Sequence, residues 1–473
     1  MSGTATLAID QGTSATKAVV VLLDGTVAGL AEVPVRVHAS PDGAVELDPR
    51  ELWSSVVEAG RQALAAAGNP PLAAIGLANQ GETVLAWDRT TGEPHGPAMV
   101  WQDRRASVVC DRLASHGARL AHLTGLELDP YFVAPKMVWL RERVPAELAI
   151  TTADTWLLHQ LCGAFVTDIA TAGRSLLLDL DHGTWSDEAC AVFGIDLSTL
   201  PQVVGNAEPL GTSTVFGGEV PVSGACVDQQ AALFAEACRS AGEAKCTYGT
   251  GAFLLACTGD RSTRSTNGLV GCPAWQVGDA ITWCLDGQVY TVGAAVSWLI
   301  DMGIMGEPAD LDRLGGSVGD AGGVTFVPAL AGLAAPYWKP QAKAAFTGLS
   351  LGTERGHLVR AAIDGIAAQV ALLAHAAGRD LGEPLSLLRV DGGLTRSRTL
   401  LQVQADLLQC PVEVYPSPHA TALGVAAFAA IGVGLDVEWV TGGATTVQPL
   451  ITASEAAERL AAWQAVADAT MDR

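Results

Sequence analysis

An α/β chain built as two related domains facing a shared cleft is the architecture this sequence predicts, and three observations carry it. The chain has 473 residues, more than one hydrophobic core organises. Short apolar runs alternate with stretches of helical periodicity, as α/β folds require. An apolar run, a carboxylate and a glycine turn follow one another at residues 7–12 and again at 387–393.

Residues 6–10 read as a short buried strand followed at once by a glycine turn at 11–14. The run 19–23 is the next strand, and Asp24-Gly25 supplies the positive φ of a hairpin turn. Leu52, Val56, Ala59 and Ala63 recur at helical spacing, so 51–67 is read as a helix with one apolar face. Residues 73–78 form a further strand leading into Asn79-Gln80-Gly81-Glu82. In the second half, 220–228 is a run of small and apolar residues ending on Asp228, and 229–238 is helix-like. Residues 245–248 then feed the glycine turn 249–251. The turn at 240–242 separates the halves, which places the domains at 1–239 and 240–473.

Composition is 49% hydrophobic and 16% charged, which implies large buried surfaces and excludes intrinsic disorder. Fifty acidic residues against 28 basic ones give a net charge of -22. Such a chain lacks the clustered Lys and Arg that nucleic acid or an anionic membrane would need. The ten cysteines sit at irregular intervals without a C-x-x-C pair, and read as small buried hydrophobes. The nine histidines show no metal-like spacing. The first residues lack a basic and apolar leader, and the uncharged stretch 321–338 is broken by Pro328 and Pro336. A cytoplasmic protein is expected.

No G-x-x-x-x-G-K-[ST] occurs, and no G-x-G-x-x-G follows a strand. The phosphate-binding candidates are therefore the hairpin 11–17 and the turn 249–251. Each sets unhindered backbone N–H groups and a threonine hydroxyl just past a strand end. Asp10, at a strand end, suits either Mg²⁺ or the capping of its turn. Asp228 suits either a general base or the N-cap of the helix that follows. Trp101, Tyr131 and Phe253 offer ring faces to a carbohydrate, or simply fill core.

Taken together the segments resemble a known family. Residues 8–17 (Ala-Ile-Asp-Gln-Gly-Thr-Ser-Ala-Thr-Lys) are similar to the first phosphate motif of the FGGY carbohydrate kinases, members of the actin-like ATPase superfamily. Residues 79–83, 100–105, 154–157, 221–233, 245–251, 332–338 and 389–393 look most like the glycerol kinase branch of that family. The matches run in order from about residue 6 to about residue 435.

The resemblance implies an α/β fold of two actin-like (ribonuclease H-like) domains with an interdomain cleft, and ATP and Mg²⁺ as cofactors. It makes Asp228 the general base and Asp10 the metal carboxylate, with Thr13, Ser14 and Lys17 at the phosphates. Gly249, Thr250, Gly293, Ser297, Gly393 and Ser397 fall on nucleotide positions. Glu82, Tyr131, Asp228 and Gln229 fall on positions that bind acceptor hydroxyls, with Trp101 and Phe253 as the apolar wall. Departures are present too. Gly81 stands where glycerol kinases carry arginine, which removes donors and opens space. Lys17 replaces an arginine, and Ser297 and Ser397 replace amide side chains. The stretch 215–220 is shorter than the fructose bisphosphate loop of that branch and lacks its Lys and Arg, so no such feedback is expected.

The activity so implied is ATP-dependent phosphorylation of a small polyol, glycerol first, with a larger polyol or a ketose next because of Gly81. A non-catalytic sugar-binding regulator is opposed by the joint presence of Asp10, Thr13, Asp228 and the 249–251 turn. Partners are expected to be a small-molecule polyol or sugar, without nucleic acid or membrane. Assembly as a homodimer or a homotetramer stays open.

Overall fold

The computed structural model describes residues 4–339, 341–437 and 445–471. Two large mixed sheets organise it. The first has six strands in the order Ala207–Ser213, Val220–Val227, Leu72–Asn79, Ala5–Gln11, Ala15–Leu22 and Val27–Pro34. The second has seven, in the order Val270–Val277, Ala280–Val289, Ala252–Gly259, Glu243–Tyr248, Leu387–Asp391, Val412–Val414 and Thr445–Val447. The first sheet draws all its strands from before residue 228 and the second from residue 243 onward.

The internal echo noted in the sequence pairs the wrong strands. Ala5–Gln11 lies between an antiparallel neighbour, Ala15–Leu22, and a parallel one, Leu72–Asn79. Its counterpart is Glu243–Tyr248, between antiparallel Ala252–Gly259 and parallel Leu387–Asp391. Leu387–Asp391 thus corresponds to Leu72–Asn79. The echo misleads because any parallel strand that ends at a cleft is an apolar run closed by a polar residue and a turn.

The helix read from residues 51–67 is Pro49–Ala66, started by Asp48, whose carboxylate accepts from the Arg50 backbone N at 2.9 Å, with Pro49 in the first turn. Its Leu52, Val56, Ala59 and Ala63 are buried, as the spacing requires. The helix after Asp228 is Asp228–Ala235; it stops short of residue 238 because Ala237 takes a φ of 55°. Arg355–Leu381 is long and apolar enough to cross a membrane by length and composition, but it is the central helix of the second core, buried over most of its length. All ten cysteines are free thiols, and nine are buried.

One late helix joins the two halves. Ala420–Gly432 packs with Asp228–Ala235 in a core cluster that also takes in Ala8, Val19 and Cys226 of the first sheet and Leu255 and Cys284 of the second. Glycines allow the close approach. A Cβ on Gly76 would stand 2.5 Å from the Val425 carbonyl oxygen, and one on Gly224 would stand 2.6 Å from the Ala429 nitrogen. The Ser223 hydroxyl donates to the Ala429 carbonyl at 2.7 Å.

Candidate active site

The parallel strands of the first sheet end side by side, with Gln11 and Val227 each opposite Asn79. A crevice outside the carboxyl ends of such strands is where α/β proteins place ligands. Three segments leave this edge: the turn after Asp10, the loop Gln80-Gly81-Glu82, and the helix that opens with Asp228. On the second sheet Thr247 lies opposite Asp391, and both strands run into glycine turns.

Between them is a cavity of about 120 Å³. It brings together every acceptor residue expected from sequence (Gly81, Glu82, Trp101, Tyr131, Asp228, Gln229 and Phe253) and adds Thr13. A larger cavity of about 410 Å³, lined by Arg89, Arg141 and Phe165 among others, holds none of these residues. The aromatic wall is built edge to face, with the Trp101 and Tyr131 ring centroids 5.8 Å apart. Gly81 opens less room than expected. A Cβ there would sit 2.8 Å from Val227 Cγ2, so that direction is already filled.

Asp228 begins its helix without capping it; among the described residues its carboxylate accepts only from the adjacent Gln229 backbone N, at 2.7 Å. Protein walls it in although it touches the cleft, and burial pushes its pKa up to about 7. The charge of Asp10 adds to the rise, and Lys245 opposes it. Asp10 is likewise raised by burial, to about 6, against the pull of Lys17, its direct partner across the hairpin. Lys245 is fully buried, and its ammonium donates to Gln229 Oε1 at 2.5 Å and Thr247 Oγ1 at 2.9 Å.

Asp10 makes no side-chain hydrogen bond among the described residues, and no cluster of three metal-ligating side chains occurs among them. A walled-in carboxylate facing a second one is donor chemistry that fits Mg²⁺, which takes one or two carboxylates and completes its shell with phosphate and water oxygens. Thr13 is half-buried and Ser14 exposed in the turn beyond Asp10.

The nucleotide candidates lie along the strand ends of the second sheet. The Gly293 N–H donates to the Gly249 carbonyl at 3.0 Å, which seats the helix Gly293–Asp301 on the 249–251 turn. Thr250, Ser297 and Gly393 are exposed there. Ser397 differs. It is 6% exposed, its hydroxyl accepts from the Leu400 backbone N as a helix cap, and it donates to Asp312 Oδ1 at 2.9 Å. Its hydroxyl is occupied within the protein.

Sequence reasoning missed Gln80, Arg174, Val227, Gln230 and Asp286, all of which line the cavity. Asp286 left a signal. It and Gln288 are alternate polar positions in the otherwise apolar end of Ala280–Val289, and so share one face. Arg174 left none.

Two sheets of one plan, whose strand ends meet at a cleft that carries carboxylates and glycine turns from both, form a two-domain actin-like fold suited to phosphoryl transfer. Comparison with known proteins narrows this. Residues 5–235 match the N-terminal domain of the FGGY family of carbohydrate kinases, and residues 244–433 match its C-terminal domain. The chain belongs to that family, and is a phosphotransferase with an alcohol group as acceptor. A glycerol kinase of Thermus brockianus is 44% identical over 444 residues, 90% of each chain. One of Alkalilimnicola ehrlichii is 41% identical over 479 residues, 97% of each chain. Among solved structures, Plasmodium falciparum glycerol kinase with ADP superposes with a TM-score of 0.93 at 29% identity, covering 99% of this chain and 98% of that one. The ligand-bound xylulose kinase of Lactobacillus acidophilus, 19% identical and with a TM-score of 0.90 over 98% of each chain, shares the fold.

Proposed function

We propose that the protein transfers the γ-phosphoryl group of ATP to a terminal hydroxyl of glycerol, giving glycerol 3-phosphate and ADP. The carrying observation is Asp228, raised toward neutrality and facing a small cavity with Glu82, Tyr131 and Gln229. A base poised near the working pH takes the hydroxyl proton as the oxygen attacks phosphorus and the bond to the β-phosphate oxygen breaks. Glu82, Tyr131 and Gln229 orient the acceptor, and Trp101 and Phe253 pack its C–H faces. Lys17, Thr13 and Ser14 meet the phosphates, and Gly249, Thr250, Gly293 and Gly393 border the nucleotide. Mg²⁺, held by Asp10 with phosphate oxygens and water, would neutralise charge on the phosphates. The glycerol kinases that match this chain over 90% and 97% of its length support the glycerol reading. The working compartment is read as the cytoplasm.

A coupled ADP-release screen over glycerol, tetritols, pentitols, tetruloses and pentuloses tests this. The highest kcat/KM is expected on glycerol. A clear preference for a longer acceptor would move the substrate, and no release above background with any of them would overturn the reading.

A further inference from the structure

The cavity wall carries a carboxylate for which the proposed chemistry has no use so far. Asp286 comes from Ala280–Val289 of the second sheet, in the half of the molecule assigned to the nucleotide. It lies opposite Leu255, and Gln288 lies opposite Phe253, so Asp286 and Phe253 project from the same face of the sheet into the cavity. Its side chain is 8% exposed. One oxygen, Oδ2, pairs with Arg174 Nη1 at 2.8 Å, and the other, Oδ1, has no hydrogen-bond partner among the described residues.

Arg174 is held from both sides. Its Nε donates to Glu82 Oε1 at 2.7 Å, so one guanidinium connects an expected acceptor ligand of the first domain to Asp286 of the second. Phe132, with Arg174 lying 5.3 Å from its ring centroid, closes the remaining side. Gln80 repeats the pattern of Asp286. It is 2% exposed, and its Oε1 also lacks a hydrogen-bond partner among the described residues, on the same cavity. A buried acceptor left unpaired costs free energy, more so when it is charged. Two such acceptors on one small cavity call for a ligand that brings hydrogen-bond donors, and a polyol brings several.

We propose that Asp286 is a further acceptor-binding and specificity-determining residue: its Oδ1 accepts a hydrogen bond from a non-reacting hydroxyl of the polyol, and Arg174 holds it in position. This rests on the polyol-kinase reading. It also places the acceptor between the domains, touching Glu82 on one and Asp286 on the other. Position 81 offers no guanidinium; Arg174 brings one to the same cavity from another segment, already committed to aligning the two carboxylates.

The test compares Asp286→Asn with the parent enzyme on glycerol, propane-1,2-diol and propane-1,3-diol, as substrates or as competitive inhibitors. A rise in glycerol KM on the order of tenfold is expected, the size of a charge-assisted hydrogen bond, with the KM for ATP little changed. For whichever diol lacks the recognised hydroxyl, the penalty should collapse toward unity. An equal penalty on all three compounds, or none on glycerol, would show that Asp286 only neutralises Arg174, and would overturn the proposal. Should Asp286→Asn unfold by stranding Arg174, Asp286→Glu keeps the charge, shifts the oxygen by one methylene, and is expected to give the same diol pattern. Parent enzyme inactive on every polyol would count against the function itself, a separate outcome.

Discussion

The indole Nε1 of Trp101 donates to the Thr13 hydroxyl across 2.9 Å. The aromatic wall of the acceptor cavity is thereby tied to the first phosphate turn. Trp101→Phe keeps a ring against Tyr131 and removes the tie together with part of the indole's volume. One neutral hydrogen bond of about 1 kcal/mol corresponds to roughly a fivefold effect. A drop of that size in kcat/KM is expected in steady-state kinetics for both acceptor and ATP. Loss confined to the acceptor would mean that the tie does not position the phosphate turn.

The raised Asp228 fixes the sign of the pH dependence. A base acts deprotonated, so kcat/KM should fall tenfold per unit below about pH 7 and level off above it. Removing the Lys245 ammonium with Lys245→Met takes away the charge that holds Asp228 down, so the limb should move to higher pH. Asp228→Asn should cost kcat on the order of a thousandfold. A pH–rate profile whose limb sits near 4 would contradict the assignment.

Gly81→Arg meets the Val227 methyl before it reaches the acceptor. The single variant should lose about 1–3 kcal/mol to overpacking, read as a lower Tm. Gly81→Arg combined with Val227→Ala should recover most of that loss and favour glycerol over longer acceptors. A single variant as stable as the parent would show that the contact relaxes freely.

Asp154 lies outside the cavity and is fully buried, with one oxygen accepting from Thr167 at 2.6 Å and the other unpartnered among the described residues. Burial, then the charge of Asp168, pushes its pKa up to about 7. A group raised in the folded state favours folding while protonated; that contribution is complete below about pH 4 and is lost progressively as pH rises from there through 7. Asp154→Asn, which cannot ionise, should match the parent below about pH 4, where the carboxyl is protonated folded or unfolded, and exceed it by a few degrees in Tm at pH 8.5. An equal Tm difference at both pH values would rule this out.

The cleft edge was legible because its parts are local. The strand, carboxylate and turn around Asp10 follow one another directly, as do the strand end and Asp228. The acceptor wall was legible only as an open choice between ring faces and core until family resemblance joined its parts, since Trp101, Tyr131 and Phe253 come from separate segments that no periodicity connects. The Arg174–Asp286 pairing was not legible, although Asp286 by itself left a signal. It is a tertiary fact joining two domains, and a lone arginine between Gly173 and Ser175 announces no partner. Motif order likewise could not say which strand of one sheet answers which of the other; hydrogen-bonded neighbours decide that.

The helix Ala420–Gly432 gives the chain a particular history as it is made. The first sheet is written by residue 227, yet the helix that covers one of its faces is encoded almost 200 residues later. Until the ribosome has passed that point, Ala8, Val19 and Cys226 lack the part of their cover that this helix supplies, beyond what the Asp228–Ala235 helix gives. Cutting the gene at the boundary between the sheets would therefore not release two self-sufficient proteins. The leading piece would emerge with an apolar scar, prone to aggregate and rescued only by supplying the missing helix.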